Sequence, residues 1–272
     1  MKSPRRWQRP PELMKSMYLP VLVSVLFVIL WEILVVLLKV PNYLVPSPYE
    51  IAGVIRDRWH ELFASFLITG GEALGGFILS SFVGLLIGMF FSLSSMVRRC
   101  FYPYIVLVQT VPIIAVSPLI LLWLGNGSRS ILFISFIISL PAVVANTTQG
   151  LISVDPNLQN VFRMGNASTL QTLFKLRLPS SLPNFFVGMK IAAGASVVGA
   201  LVGETYAGTS VVGQGGLGYS SVYALNQLDT PYLFALVMAS SIMGVVFFLM
   251  VAIAAKDTLK NWHESVQPDT PE

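Results

Sequence analysis

Charged residues are scarce in this sequence. Asp, Glu, Lys and Arg together make up 11% of its 272 residues, where a soluble domain carries about 25%. That scarcity excludes an ordinary soluble globular protein and leaves room for one membrane domain, with no separate catalytic domain. Cysteine occurs once, at Cys100, which excludes an intrachain disulfide and an all-cysteine metal site. The two histidines, His60 and His263, have no ligand-like spacing. No P-loop lysine motif occurs, so the chain does not itself hydrolyse ATP. There is also no cluster of reactive groups at one depth, as a membrane-embedded enzyme would need, and no internal repeat of the kind found in many secondary transporters.

What the sequence has in quantity is apolar length. Hydrophobic residues make up 54% of it, and mean hydropathy is +0.73. The runs predict an all-α integral membrane protein with six spans at about 17–40, 64–93, 101–124, 130–149, 183–207 and 230–255. Residues 1–16 are basic, and the first run is too long for a signal-peptide core, so it reads as an uncleaved span. Arg98 and Arg99 follow the second span, while Arg163, Lys175 and Arg177 follow the fourth. The positive-inside rule then places both termini, the loop 151–182 and the tail 256–272 in the cytoplasm. Pro41–Pro48 breaks the chain outside, and Tyr49–Leu62 reads as a short helix at the outer interface. The net charge of +4 is modest, and nothing points to nucleic acid.

The most informative stretch is polar, Asp155–Pro183, set between the apolar runs Ser130–Gln149 and Phe185–Ala207. Asp155 predicts an N-cap for a helix opening at Pro156, a position where no amide donor is needed. That helix should stop at Gly165-Asn166, since both residues tolerate a left-handed cap. Ser168-x-x-Gln171 predicts a capping box for a second helix bearing Leu170, Leu173, Phe174 and Leu176. Pro179 and Pro183 are expected to end it. The first helix would hold Leu158, Val161 and Phe162 off the membrane, a knob suited to a partner's groove. On periodicity alone, a solvated connector is an equal alternative.

The same stretch resembles the cytoplasmic "EAA" loop of membrane subunits of binding-protein-dependent ABC importers. Asn160-Val161-Phe162 stands for the family's Glu-Ala-Ala, Asn166 for its glycine, and Leu176-Arg177-Leu178-Pro179 for its closing Ile-x-Leu-Pro. The spacing fits without a gap. Asn160 replaces the glutamate, and Asn166 replaces the glycine with Gly165 one place early. QTVPIIAVSPLILLWLGNG and GASVVGALVGETYAG with a following GGLGY are similar to permeases of the nitrate/sulfonate/taurine/bicarbonate class and of thiamine-precursor and riboflavin systems.

The resemblance implies a type I ABC importer fold and a homodimer of this subunit in the prokaryotic inner membrane. It implies two cytoplasmic ATPase subunits, carrying the ATP and magnesium, and an extracytoplasmic binding protein. This chain itself would hold no cofactor or metal. Pro156, Asn157, Leu158, Asn160, Val161, Phe162, Arg163, Gly165 and Asn166 would form the ATPase-coupling contact. The solute would be a sulfonate- or nitrate-like anion, or a compound like a thiamine-precursor pyrimidine or riboflavin. An ATP-independent secondary transporter or channel is the alternative reading.

Within the spans, Gln109, Thr110, Ser139, Asn146 and Glu204 are candidates for a polar pathway. For each of the neutral four, hydrogen bonding between helices is an equal alternative. Ionisable groups at membrane depth face protein or water; Glu204 is the candidate for the outer half of the pathway, with an interfacial carboxylate capped by neighbouring hydroxyls as the stronger alternative. Glu32, Glu72 and Lys190 also fall in or near spans. Gly213, Gly215 and Gly218 match G-x-G-x-x-G but lack a βαβ context, so they are read as a flexible outer loop.

Overall fold

The computed structural model describes residues 11–207 and 215–260, with side chains from residue 19 onward. Among the described residues every regular element is helical: α1 (Pro11–Leu37), α2 (Pro48–Asp57), α3 (Trp59–Leu93), α4 (Ser95–Thr110), α5 (Ile113–Leu124) and α6 (Ser128–Ile152) come first. Then follow α7 (Pro156–Met164), α8 (Thr169–Thr172), a π-helical turn (Leu173–Arg177), α9 (Leu178–Ala207), α10 (Leu217–Asn226) and α11 (Thr230–Leu259). Five helices are long and apolar enough to cross a membrane, and the pair α4–α5 makes a sixth candidate.

Two compact units can be distinguished, 11–59 with 224–235, and 60–223 with 236–260. In the first, α1 exposes apolar side chains on every face, from Leu19 to Leu37, as a helix solvated by lipid does. Its Glu32 accepts the Tyr49 amide at 3.1 Å, which ties α1 to α2. A capping box of Ser47 and Glu50 opens α2. Arg58 pairs with Asp229 at 2.8 Å and lies over the Tyr232 ring at 4.9 Å. The helix expected over Tyr49–Leu62 thus stops at Asp57, and Trp59–Leu62 open the next helix instead.

The second unit is built around α6, with α3 and α9 on it. Small residues make this close approach possible. A Cβ on Gly84 of α3 would fall 2.7 Å from Val143 Cγ1, and one on Gly199 of α9 would fall 2.7 Å from the Ser135 Cα. Val143, Val144, Ser135, Ser139 and Thr147 of α6 are accordingly fully buried, as are Ala192, Ala193, Ser196 and Ala200 of α9. Ser135 Oγ donates to the Ser196 carbonyl at 2.8 Å across this seam.

Two expectations about the spans are corrected. The third, 101–124, is not one helix: α4 and α5 meet at 101°. Pro112 lacks an amide donor and holds Val111 extended, at φ −74° and ψ 122°, which ends α4. Arg98 and Arg99, expected in a loop, lie in the first turns of α4, which Ser94 caps. Secondly, Pro179 and Pro183 do not end a helix. The chain runs helically for 39 residues from Thr169 to Ala207, where about 20 suffice to cross a bilayer. The π turn absorbs the strain: the Leu178 amide bonds back five residues to the Leu173 carbonyl, widening the helix just before Pro179. Ser181 Oγ then donates to the Leu178 carbonyl at 2.8 Å.

Candidate functional site

Two places combine chemistry with position, one at each end of α9. At its start, the segment between α6 and α9 projects α7. The Asp155 side chain accepts the Asn157 amide at 2.7 Å, and Pro156 occupies the first turn. The helix closes with two bonds of a Schellman cap, Asn166 N–H to the Arg163 carbonyl (3.1 Å) and Ala167 N–H to the Phe162 carbonyl (3.0 Å). The left-handed residue is Asn166, at φ +55°, whereas Gly165 sits at an ordinary φ of −76°. The capping box follows, with Ser168 N–H to Gln171 Oε1 at 2.8 Å and Gln171 N–H to Ser168 Oγ at 3.2 Å.

No residue of α7 is buried. Leu158, Val161 and Met164 are 49%, 63% and 88% exposed and follow one another at three-residue steps on one side of the helix. Pro156, Asn157, Asn160, Arg163, Gly165 and Asn166 are also exposed. Phe162 is the exception among the expected knob residues: it is half-buried, and Met164, which motif matching passed over, takes the outward place. The base of the projection is firm. Leu173 and Leu176 are buried, and Arg177 donates to the Ser92 carbonyl at the end of α3 at 2.8 Å.

At the other end of α9 lies Glu204, 3% exposed. Its Oε1 accepts the Thr69 hydroxyl at 2.7 Å, and its Oε2 accepts the Gly218 amide at 2.6 Å. The Leu217 amide donates to Thr69 Oγ1 at 2.7 Å. Side chains from α3 and α9 therefore cap the N-terminus of α10, satisfying donors that a helix start leaves open. Ser65 completes the seat, with its Oγ 3.0 Å from the Gly215 carbonyl and 3.1 Å from Ser220 Oγ. The glycines here do not form a loose loop. Gly215, Gly216 and Gly218 are buried, and a Cβ on Gly216 would run into the Glu204 carboxylate and Thr69. Gly213 lies outside the described residues.

The pathway candidates are not brought together. Gln109 and Thr110 are exposed at the end of α4, and Thr110 donates to the Leu107 carbonyl. Ser139 is fully buried on α6 and donates within its own helix, to the Ser135 carbonyl at 2.6 Å. Asn146, half-buried, donates to the Ala142 carbonyl at 2.8 Å. Glu204 is enclosed rather than open to a passage. Its partner Thr69 lies 135 positions away and carries no local signal, while Gly218, 14 positions on, was legible only as a loop glycine and Glu72 only as an ionisable group within a span.

These features can be set beside known proteins. Residues 80–260 match the model of the family described as "Binding-protein-dependent transport system inner membrane component". The chain belongs to this family. It is a permease subunit of a binding-protein-dependent ABC importer and a multi-pass inner-membrane protein. ATP hydrolysis resides in a separate partner, and membership implies both an ATPase and a solute-binding protein. Among curated permeases, the formylaminopyrimidine transport permease protein ThiX of Halalkalibacterium halodurans is 31% identical, over 85% of this chain and 91% of ThiX. The putative aliphatic sulfonates transport permease protein SsuC of Bacillus subtilis is 27% identical, over 93% of this chain and 89% of SsuC. In architecture, the permease resembles a chain of the MetNI methionine ABC transporter in inward-facing conformations, with a TM-score of 0.53 and 16% identity. That match covers 74% of this chain and 94% of the MetNI chain.

Proposed function

We propose that α7 is the contact through which an ATPase subunit drives this permease, and that the driven element is α9. The observation that carries this reading is an apolar face, Leu158, Val161 and Met164, left exposed on a helix whose own ends are fully capped. A helix-in-groove contact reads such a face. Closure of the ATPases around ATP and magnesium, bound by them and not by this chain, pushes α7. The push reaches α9 through the π turn and α3 through Arg177 and Ser92. Differential affinity of the ATPases for two arrangements of the spans then selects which side the pathway faces. In this arrangement α7 and both termini lie in the cytoplasm and α10 on the outer side.

Two copies of the permease form the pathway between them. The broken pair α4–α5 supports this, since α4 has no buried residue and Leu119, Leu122 and Trp123 of α5 are exposed. Gln109 and Thr110, at the break, then line the passage. The solute is a small neutral heteroaromatic compound of the pyrimidine type, as for ThiX. None of the pathway candidates other than Glu204 is charged, and none offers the fixed cation that would suit a sulfonate.

The test is uptake into proteoliposomes holding the permease, its ATPase and its binding protein, with labelled formylaminopyrimidine and an aliphatic sulfonate compared. ATP-dependent uptake of the pyrimidine alone is the expected result. Preferential sulfonate uptake would overturn the solute assignment and leave the α7 contact standing.

A further inference from the structure

The seat of α10 holds a second carboxyl that the caps do not use. Glu72 of α3 is 7% exposed and lines the same small cavity as Glu204 and Ser128. The cavity has a volume of about 80 Å³, room for a small ion with a little water. Its remaining lining is Ile68, Gly127, Ile131, Ala207, the Gly215-Gly216 backbone and Tyr219. Glu204 is provided for, since each of its oxygens accepts a donor. Glu72 is not: its Oε2 is buried and has no hydrogen-bond partner.

Among the described residues, no lysine, arginine or histidine lines this cavity. Residues 208–214, the neighbouring stretch of sequence, carry no ionisable side chain either. Among the described residues, the titratable groups facing Glu72 are thus Glu204 from α9 and Tyr219 from α10, while Arg129, next to Ser128, is exposed. Two adjacent buried carboxyls with no cationic side chain between them require a positive charge from outside the chain. Both available chemistries place it in the same spot. A proton would bridge Glu72 and Glu204, and an alkali-metal ion would take Glu72 Oε2, Glu204 and Ser128 Oγ as oxygen ligands.

We propose that Glu72 and Glu204 bind one small monovalent cation between them, and that this cation keeps α10 seated on α3 and α9. With the cation gone, like charges face each other directly beneath the α10 N-terminus. Glu204 is then the group pulled off Gly218 and Thr69. The seated state binds one more cation than the released state, so withdrawing cations favours release. This site does not depend on which solute the permease carries or on how α7 is gripped.

The experiment is hydrogen exchange of the Leu217–Ser220 amides in the full-length permease in nanodiscs. It is run across a grid of pH and of sodium chloride against N-methylglucamine chloride at constant ionic strength. After correction for intrinsic exchange rates, opening of α10 should become about tenfold more frequent per tenfold fall in free cation concentration over the range where the site is occupied, the slope of one ion linked. Dependence on pH persisting without sodium identifies a proton, and dependence on sodium at fixed pH identifies an alkali ion. Glu72→Gln supplies an amide donor to Glu204 and removes one charge, so α10 should stay protected over the whole grid. Wild-type protection that ignores both pH and sodium would overturn the proposal without any variant. An E72Q chain that kept the wild-type dependence would overturn it as well.

Discussion

α7 and α10 are nearly equal in length, 9 and 10 residues, and each stands beside one end of α9. The chain finishes them in opposite ways. α7 is closed by its own neighbours in sequence, Asp155 before it and Asn166-Ala167 after it, and none of its residues is buried. The start of α10 is closed by residues of other helices, Thr69 of α3 and Glu204 of α9, and Gly215–Gly218 are buried. A helix that is complete by local caps and still exposes Leu158, Val161 and Met164 is arranged to meet something else. A helix whose first amides need other helices is arranged to be held. From Leu178 to Glu204, the rigid stretch of α9 between the two spans about 40 Å at helical rise.

The comparison breaks most sharply at Gly216. A valine there would put its side chain into the Glu204 carboxylate and Thr69, an overpacking that costs typically 1–3 kcal/mol. Exchange of the Leu217 and Gly218 amides should accelerate by at least tenfold while thermal unfolding of the rest shifts little. Unchanged α10 protection would mean that the seat is softer than its contacts indicate. Next comes Asn166→Val, which places a β-branched side chain at φ +55° at a cost of about 1–2 kcal/mol. It should fray the end of α7 and lower coupling of ATP hydrolysis to uptake. Gly165→Val is the matched control, since its φ is ordinary and the nearest atom to a new Cβ is the Val161 carbonyl oxygen at 3.5 Å. Equal damage from both variants would contradict the assignment of the turn to Asn166. Smallest is Asp155→Ala, the loss of an N-cap worth about 1 kcal/mol. It should raise exchange at Asn157 and leave α10 untouched.

How far the sequence discloses each region follows from the same contrast. Asp155-Pro156, Ser168-x-x-Gln171 and the turn at Asn166 act over two to five residues, so local chemistry reads them directly. The start of α10 depends on partners as far as 148 positions away, and its glycines, chosen for lack of a side chain, look from the sequence like slack. The third span holds Pro103, Pro112 and Pro118, of which only Pro112 breaks the chain while the other two sit inside helices. Nothing local separates them. Pro179 and Pro183 misled for a related reason: a π turn widens the helix just before Pro179, and Pro183 sits inside the α-helix that follows. The apolar spans themselves were legible because lipid imposes their length and composition.

The central claim is that α7 is the grip for the ATPase, and the direct measurement is what accompanies the tagged permease out of its own host in gentle detergent. Wild type is compared with the triple variant Leu158→Glu, Val161→Glu, Met164→Glu, which changes only exposed side chains. A stoichiometric ATPase with the wild type, absent from a variant that remains monodisperse and keeps its α10 amides protected, is the predicted result. The same ATPase recovered at the same ratio with the charged α7 would contradict the account and return that helix to the status of a connector.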